Sequence, residues 1–184
     1  QNGIDVHRCH VSEAYNSGFL GRLIGYFSFV LSSIYAGLFK LNGKYDVIVI
    51  TSPPLFLGIT AIVLSFFKRT PFVFEVRDLW PESAIDTGVV TNKYLIKFSY
   101  WFEKKIYQKA KLINVLTPAF KQALIRKGVP ENKILFIPNA ADFSLSDKLL
   151  NSFDAKKFKR ELGFENNFVI TYVGAHGVAN HLIQ

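Results

Sequence analysis

The sequence predicts an α/β fold, a parallel β-sheet flanked by helices whose strands leave the sheet into polar junctions. Short apolar runs rich in β-branched and aromatic residues alternate with longer helical patterns, four of those runs end in a polar or turn-forming segment, and prolines fall where helices begin. Strand alternating with helix implies parallel pairing through right-handed crossovers.

The elements follow in order. A helix is expected over Ser17–Lys40, then a strand over Asp46–Ile50 (DVIVI) running into Thr51-Ser52-Pro53-Pro54. A helix over Leu55–Phe67 precedes Pro71–Val76 (PFVFEV), placed as a central strand. After a helix over Thr91–Lys109, a strand over Leu112–Leu116 runs into Thr117-Pro118. A helix over Ala119–Lys127 then leads to a strand over Ile134–Ile137 and on into Pro138-Asn139. Proline is tolerated in the first helical turn, so Ser52 and Thr117 are read as N-caps. All four polar junctions should line the carboxyl edge of the sheet, where open α/β folds bind ligands. Free N–H groups at those helix starts can hold an anion or simply begin a helix.

The densest junction is Arg77-Asp78-Leu79-Trp80-Pro81-Glu82, directly after the central strand. Asp78 lies just past the strand end, where an open α/β sheet presents its polar groups. Arg77 can pair with Asp78 or Glu82, or grip a phosphate in bidentate fashion. Trp80 can offer a stacking ring or cap the core, and Glu75, inside the strand, is read as the partner of a buried arginine or a backbone N–H.

Ten Lys or Arg against two acids lie between Thr91 and Lys133, which equals the whole net charge of +8. The excess therefore describes a face, open to three readings: anionic lipid, nucleic acid or plain solvation. On the 91–109 helix, Tyr94, Leu95, Phe98, Trp101, Phe102 and Ile106 recur at helical spacing and are expected to face the core. From Leu23 to Phe39 the first helix carries no charge. It is just short of a spanning length, so it is expected to pack one face on the sheet and to lie on lipid with another. A single cysteine, Cys9, excludes an intrachain disulfide, and one Cys with four His offers no metal-ligand spacing. No metal or cofactor is expected, and no G-x-G-x-x-G follows a strand.

The chain contains no Met and opens on Gln1, which suggests a piece of a longer polypeptide. Domains are expected at 1–139 and 152–184, joined by a linker over 140–151. The second would begin with a helix over Asp154–Leu162 and a strand over Asn167–Val173 ending in Gly174-Ala175-His176-Gly177.

Taken in order, TSPPLFLG, FEVRDLWPE, SYWFEKKIYQKA, LTPAFK and IPNAADF resemble the retaining glycosyltransferases of the GT-B fold, family four, with bacterial O-antigen, capsule and exopolysaccharide sugar transferases as the nearest likeness. Such enzymes face two Rossmann-like domains across a cleft. The resemblance implies that residues 1–139 form most of the acceptor domain and 152–184 the start of the nucleotide-sugar domain. It implies catalytic roles for Asp78 and Arg77, acceptor binding by Ser52, Trp80 and Glu82, and donor binding by Asn139, Gly174, His176 and Gly177. Ala140 stands where the family's interdomain motif usually has Gly, Ala141 where it has Val, and Asn180 where many relatives have a diphosphate-binding Lys. The implied partners are a nucleotide-sugar donor, a lipid-linked or saccharide acceptor and an anionic membrane surface, with no nucleic acid. The implied location is the inner face of the cytoplasmic membrane, with peripheral attachment. The competing reading is a non-catalytic basic module that binds anionic membrane or nucleic acid.

Overall fold

A computed structural model describes residues 3–16, 18–150 and 152–174. Contacts divide the chain into two units, 1–138 and 139–184.

In the first unit, α1 (Gly18–Tyr35) continues into a π-helical turn (Ala36–Lys40) and is followed by β1 (Ile48–Ser52), α2 (Leu57–Lys68) and β2 (Phe72–Val76). Then come α3 (Glu82–Asp86), α4 (Lys93–Lys109), β3 (Leu112–Val115), α5 (Pro118–Arg126) and β4 (Ile134–Phe136). The four strands are all parallel and stand in the order β1-β2-β3-β4. Each expected strand of this unit is present, shifted by at most two residues.

Because the strands add in one direction, right-handed crossovers put α2, α4 and α5 on the same face. Packing agrees: Phe72, Phe74, Val76, Ile113 and Val115 share one buried cluster with Ala61 of α2, Ile106 of α4 and Leu124 of α5. Pleating sends Val49, Val73, Glu75 and Asn114 to the opposite face. Two glycines permit close helix contacts. A Cβ on Gly58 would sit 2.2 Å from Ile106 Cδ1, and one on Gly37 would sit 2.6 Å from Leu64 Cδ1. So α2 lies tight against α4, and the end of α1 lies tight against α2.

The first helix corrects an expectation. It packs on α2 rather than on the sheet, burying Val30 and joining Ser33 Oγ to Thr60 Oγ1 at 3.0 Å. Its other side holds the N-terminal segment: Ser28 Oγ accepts from Ser12 N–H at 2.8 Å, and Ser32 Oγ donates to the carbonyl of His10 at 2.8 Å. Ser52 is likewise no N-cap. The Pro53-Pro54 turn intervenes, and α2 begins only at Leu57, with no side-chain cap. Thr117 does cap α5, accepting from Phe120 N–H at 3.1 Å with Pro118 at the first helical position.

The second unit holds α6 (Ser144–Leu150) and α7 (Ala155–Glu161). Asp154 caps α7 by accepting from Lys156 and Lys157 N–H. The 140–151 segment expected as a linker thus contains a helix. The strand expected over Asn167–Val173 is absent, and Phe168, Ile170 and Val173 are exposed. An apolar run becomes a strand only where a neighbour completes its ladder, and the described residues of this unit supply none.

Candidate active site

The carboxyl edge is built where β1 and β2 end side by side. Ser52 pairs with Val76, and the Arg77 N–H donates to the Ser52 carbonyl at 3.2 Å, carrying the pairing one residue beyond the strand. The Ser52 side chain turns inward, buried, and its hydroxyl donates to the Glu75 carbonyl at 3.3 Å. Expected as an acceptor contact, it presents no hydroxyl at the edge. One strand further along, the Asn114 side chain accepts from Ile137 N–H at 3.1 Å and fixes the exit of β4.

The loop after β2 carries the charged groups, and its pairing differs from expectation. Arg77 Nε lies 3.5 Å from Glu75 Oε1, and both are partly exposed, so Glu75 has an arginine partner but not a buried one. Asp78 Oδ2 accepts from Ser83 Oγ at 2.9 Å. The hydroxyl comes from α3, five residues on, and holds the carboxylate just past the strand end. Trp80 packs on the buried cluster and meets Phe56 edge-on with ring centroids 6.2 Å apart. Pro81 is fully buried beside it.

Glu82 faces the helical layer. Its two carboxylate oxygens lie 2.8 and 2.9 Å from Lys127 Nζ, and the same ammonium lies 2.5 Å from Glu103 Oε1. Placed by sequence at the acceptor edge, Glu82 instead ties the loop to α5 and α4. Glu103 is almost fully buried in α4, where burial raises its pKa against the pull of Lys127 and the Tyr107 hydroxyl. Burial, then Glu103, pushes Tyr107 well above its usual value. Tyr100 is raised by burial and by Glu82, and its ring carries Lys127 Nζ at 5.6 Å. One ammonium thus serves two carboxylates beside two tyrosines, at the wall of an open cavity of about 420 Å³ lined also by Lys104 and Pro130. Among the described residues, every buried side-chain polar atom has a partner.

Sequence reading missed Lys127, Glu103 and Ser83. One signal was available, since Glu103 directly follows Phe102 and lies three residues before Ile106, both expected to face the core, which places an acid on the apolar side of α4. The core expectation for α4 is also half corrected. Phe102 and Ile106 are buried, whereas Tyr94 is 86% exposed and Phe98 and Trp101 are about half exposed. Of the expected donor residues, Asn139 and Gly174 belong to the second unit, in irregular segments. His176 and Gly177, with Asn180, lie outside the described residues.

A parallel sheet that offers a charged, side-chain-anchored loop at its carboxyl edge defines a ligand-handling domain of the open α/β class. The chain belongs to the family described as glycosyl transferase 4-like domain, whose sequence model matches residues 1–140. It is a glycosyltransferase domain, then, with a sugar donor and an acceptor in general terms. No curated protein matches the chain.

Proposed function

We propose that residues 1–139 of this chain form most of the acceptor-side domain, and residues 152–184 the start of the nucleotide-sugar domain, of a retaining GT-B transferase that moves a sugar from a nucleotide-diphosphate donor to a lipid-linked or growing polysaccharide acceptor, as in O-antigen, capsule or exopolysaccharide synthesis, at the inner face of the cytoplasmic membrane. The observation that carries this reading is the placement of Asp78. Among the described residues, Ser83 is its one hydrogen-bond partner, which leaves carboxylate capacity for an acceptor hydroxyl at the sheet edge. Arg77, half exposed beside it, is assigned to an acceptor phosphate. Trp80, half-buried and packed on the core, is assigned to an acceptor sugar ring. Retention places the acceptor oxygen on the leaving-group side of a developing oxocarbenium sugar, where fixed dipoles and hydrogen bonds stabilise the separating charges. Asn139, Gly174, His176 and Gly177 are assigned to the nucleotide-sugar side.

The test uses the full-length polypeptide. Nucleotide release is measured from UDP-, GDP- and TDP-sugars with and without lipid-linked acceptor. Asp78→Asn should lower acceptor-dependent turnover by roughly 10²–10⁴-fold with thermal unfolding unchanged. Unchanged turnover would remove Asp78 from catalysis. Absence of release from every donor by the folded protein would favour a non-catalytic binding module.

A further inference from the structure

A second concave site lies in the helical layer. It is the cavity of about 420 Å³ between the carboxyl half of α4 and the turn that closes α5. That turn leads through Lys133 into β4, so the cavity opens beside the amino end of a strand, whereas the Asp78 loop leaves the carboxyl end of β2. No residue between Arg77 and Ser83 lines it.

Its walls follow from local rules. Tyr100, Lys104, Tyr107 and Gln108 recur at helical spacing and share one side of α4. Opposite them, Gly128 takes the left-handed conformation, φ 84°, that ends α5. Its N–H donates to the Ile125 carbonyl at 2.9 Å and the Val129 N–H to the Leu124 carbonyl at 3.1 Å, a doubly bonded cap that glycine permits. The cap leaves Val129 buried and Pro130 exposed at the rim. Lys133 Nζ ties the two walls together by donating to the Gln108 carbonyl at 2.9 Å.

The polar groups select the occupant. Both tyrosine hydroxyls are engaged, Tyr100 with Glu82 and Tyr107 with Glu103, so these residues contribute rings to the lining. Lys127 serves the same two carboxylates. Neither acid therefore has a place for a cationic ligand. Lys104 and Lys133 differ, since neither forms an ion pair among the described residues and the Lys133 ammonium meets only a neutral carbonyl. Burial without a countercharge lowers the Lys133 pKa below its usual value. A neutral sugar would leave both ammonium groups uncompensated. An anion would supply the missing charge, and lysine binds phosphate as a point charge. Small-molecule sites span roughly 300–1,000 Å³, so the cavity also has room for a ring system against Tyr100, Tyr107 and Val129.

We infer that this cavity is a second ligand site of the domain, one that takes a small ring-bearing phosphate monoester, with its phosphate at Lys104 and Lys133 and its ring between α4 and the 128–130 turn. The inference goes beyond the transferase reading, since none of the residues assigned there to catalysis, acceptor or donor lines the cavity.

The test titrates the full-length polypeptide with 1-naphthyl phosphate, followed by its fluorescence, against 1-naphthol by the same signal and inorganic phosphate by competition. A saturable site should appear, about tenfold or more tighter for 1-naphthyl phosphate than for either fragment. Lys104→Gln with Lys133→Gln should weaken it by about tenfold or more, with thermal unfolding nearly unchanged because glutamine can still donate to the Gln108 carbonyl. Gln108→Trp, which fills the cavity from an exposed position and keeps both lysines, should abolish binding. Asp78→Asn should bind the probe as the parent does. Equal affinity for 1-naphthol would reduce the cavity to an apolar cleft and overturn the inference. So would undiminished binding in the Lys104→Gln/Lys133→Gln variant, which would put the probe elsewhere, or no binding by the parent. The titration needs no turnover, so its failure is separable from a failure of the transferase assignment.

Discussion

Replacing Lys127 by Met should destabilise the first unit more than any surface substitution in it. The ammonium lies 2.8 Å from Glu82 Oε1 and 2.5 Å from Glu103 Oε1, and the Glu103 side chain is only 4% exposed. Removing one partner of a buried pair typically costs about 3–5 kcal/mol, because the remaining charge is left in a poor dielectric. The share from Glu82 is small: its side chain is 31% exposed, and such pairs contribute at most about 1 kcal/mol. For a chain of this size 1 kcal/mol moves the melting temperature by roughly 2–4 °C, so a fall of about 6–20 °C is expected.

The pH dependence gives the sharper test. Burial raises the folded-state pKa of Glu103, so its contribution to stability is fully present below the unfolded value and is lost as pH rises through the folded one. Lys127 opposes that rise. In its absence the folded pKa climbs further, and the lossy window extends upward from the ordinary carboxylate range towards neutrality. The gap between parent and Lys127→Met, followed by thermal circular dichroism, should therefore be large at pH 7 and clearly smaller at pH 5. Glu103→Gln in the Lys127→Met background should recover much of the loss at pH 7, since a neutral amide costs less to bury. A deficit equal at both pH values, or no recovery by Glu103→Gln, would refute the assignment of Glu103 as a buried charge held by Lys127.

Two further substitutions test the frame of the site. Gly58→Ala places a methyl group 2.2 Å from Ile106 Cδ1, and overpacking of this kind should cost about 1–3 kcal/mol in urea denaturation; a neutral result would mean that α2 and α4 can separate freely. Thr117→Ala removes the cap on α5 and should cost about 1 kcal/mol by the same measurement, with Thr117→Ser restoring most of it.

The sheet was legible in the sequence because its signals are local. DVIVI, PFVFEV, the 112–116 run and the 134–137 run each end in their own turn chemistry, and Thr117-Pro118 carries both a cap and its first helical residue. Where a local pattern has two physical causes, reading failed. Tyr94, Phe98 and Trp101 repeat at helical spacing whether a helix faces a core or an interface, so exposure had to come from the fold. Pro53-Pro54 resembles a helix start but makes a turn first, which turned Ser52 from a cap into a buried strand residue. Asn167–Val173 has strand composition without a ladder partner among the described residues. The Glu82–Lys127–Glu103 cluster was illegible for a different reason: its members come from α3, α4 and the turn that closes α5, and only the crossovers bring them together.

The pleat of β2 gives the Asp78 loop an unusual suspension. Glu75 belongs to the sheet face away from the helices, and Arg77 is drawn to it; Glu82, five residues after Arg77, is drawn to Lys127 on the helical face. The segment between them is thus moored to opposite sides of the same strand, like a bridge deck with one cable on each bank. Slackening either tie should swing Asp78 towards the other side instead of freeing it. The two moorings share no residue, so each offers a separate handle for re-aiming the carboxylate while the sheet beneath stays still.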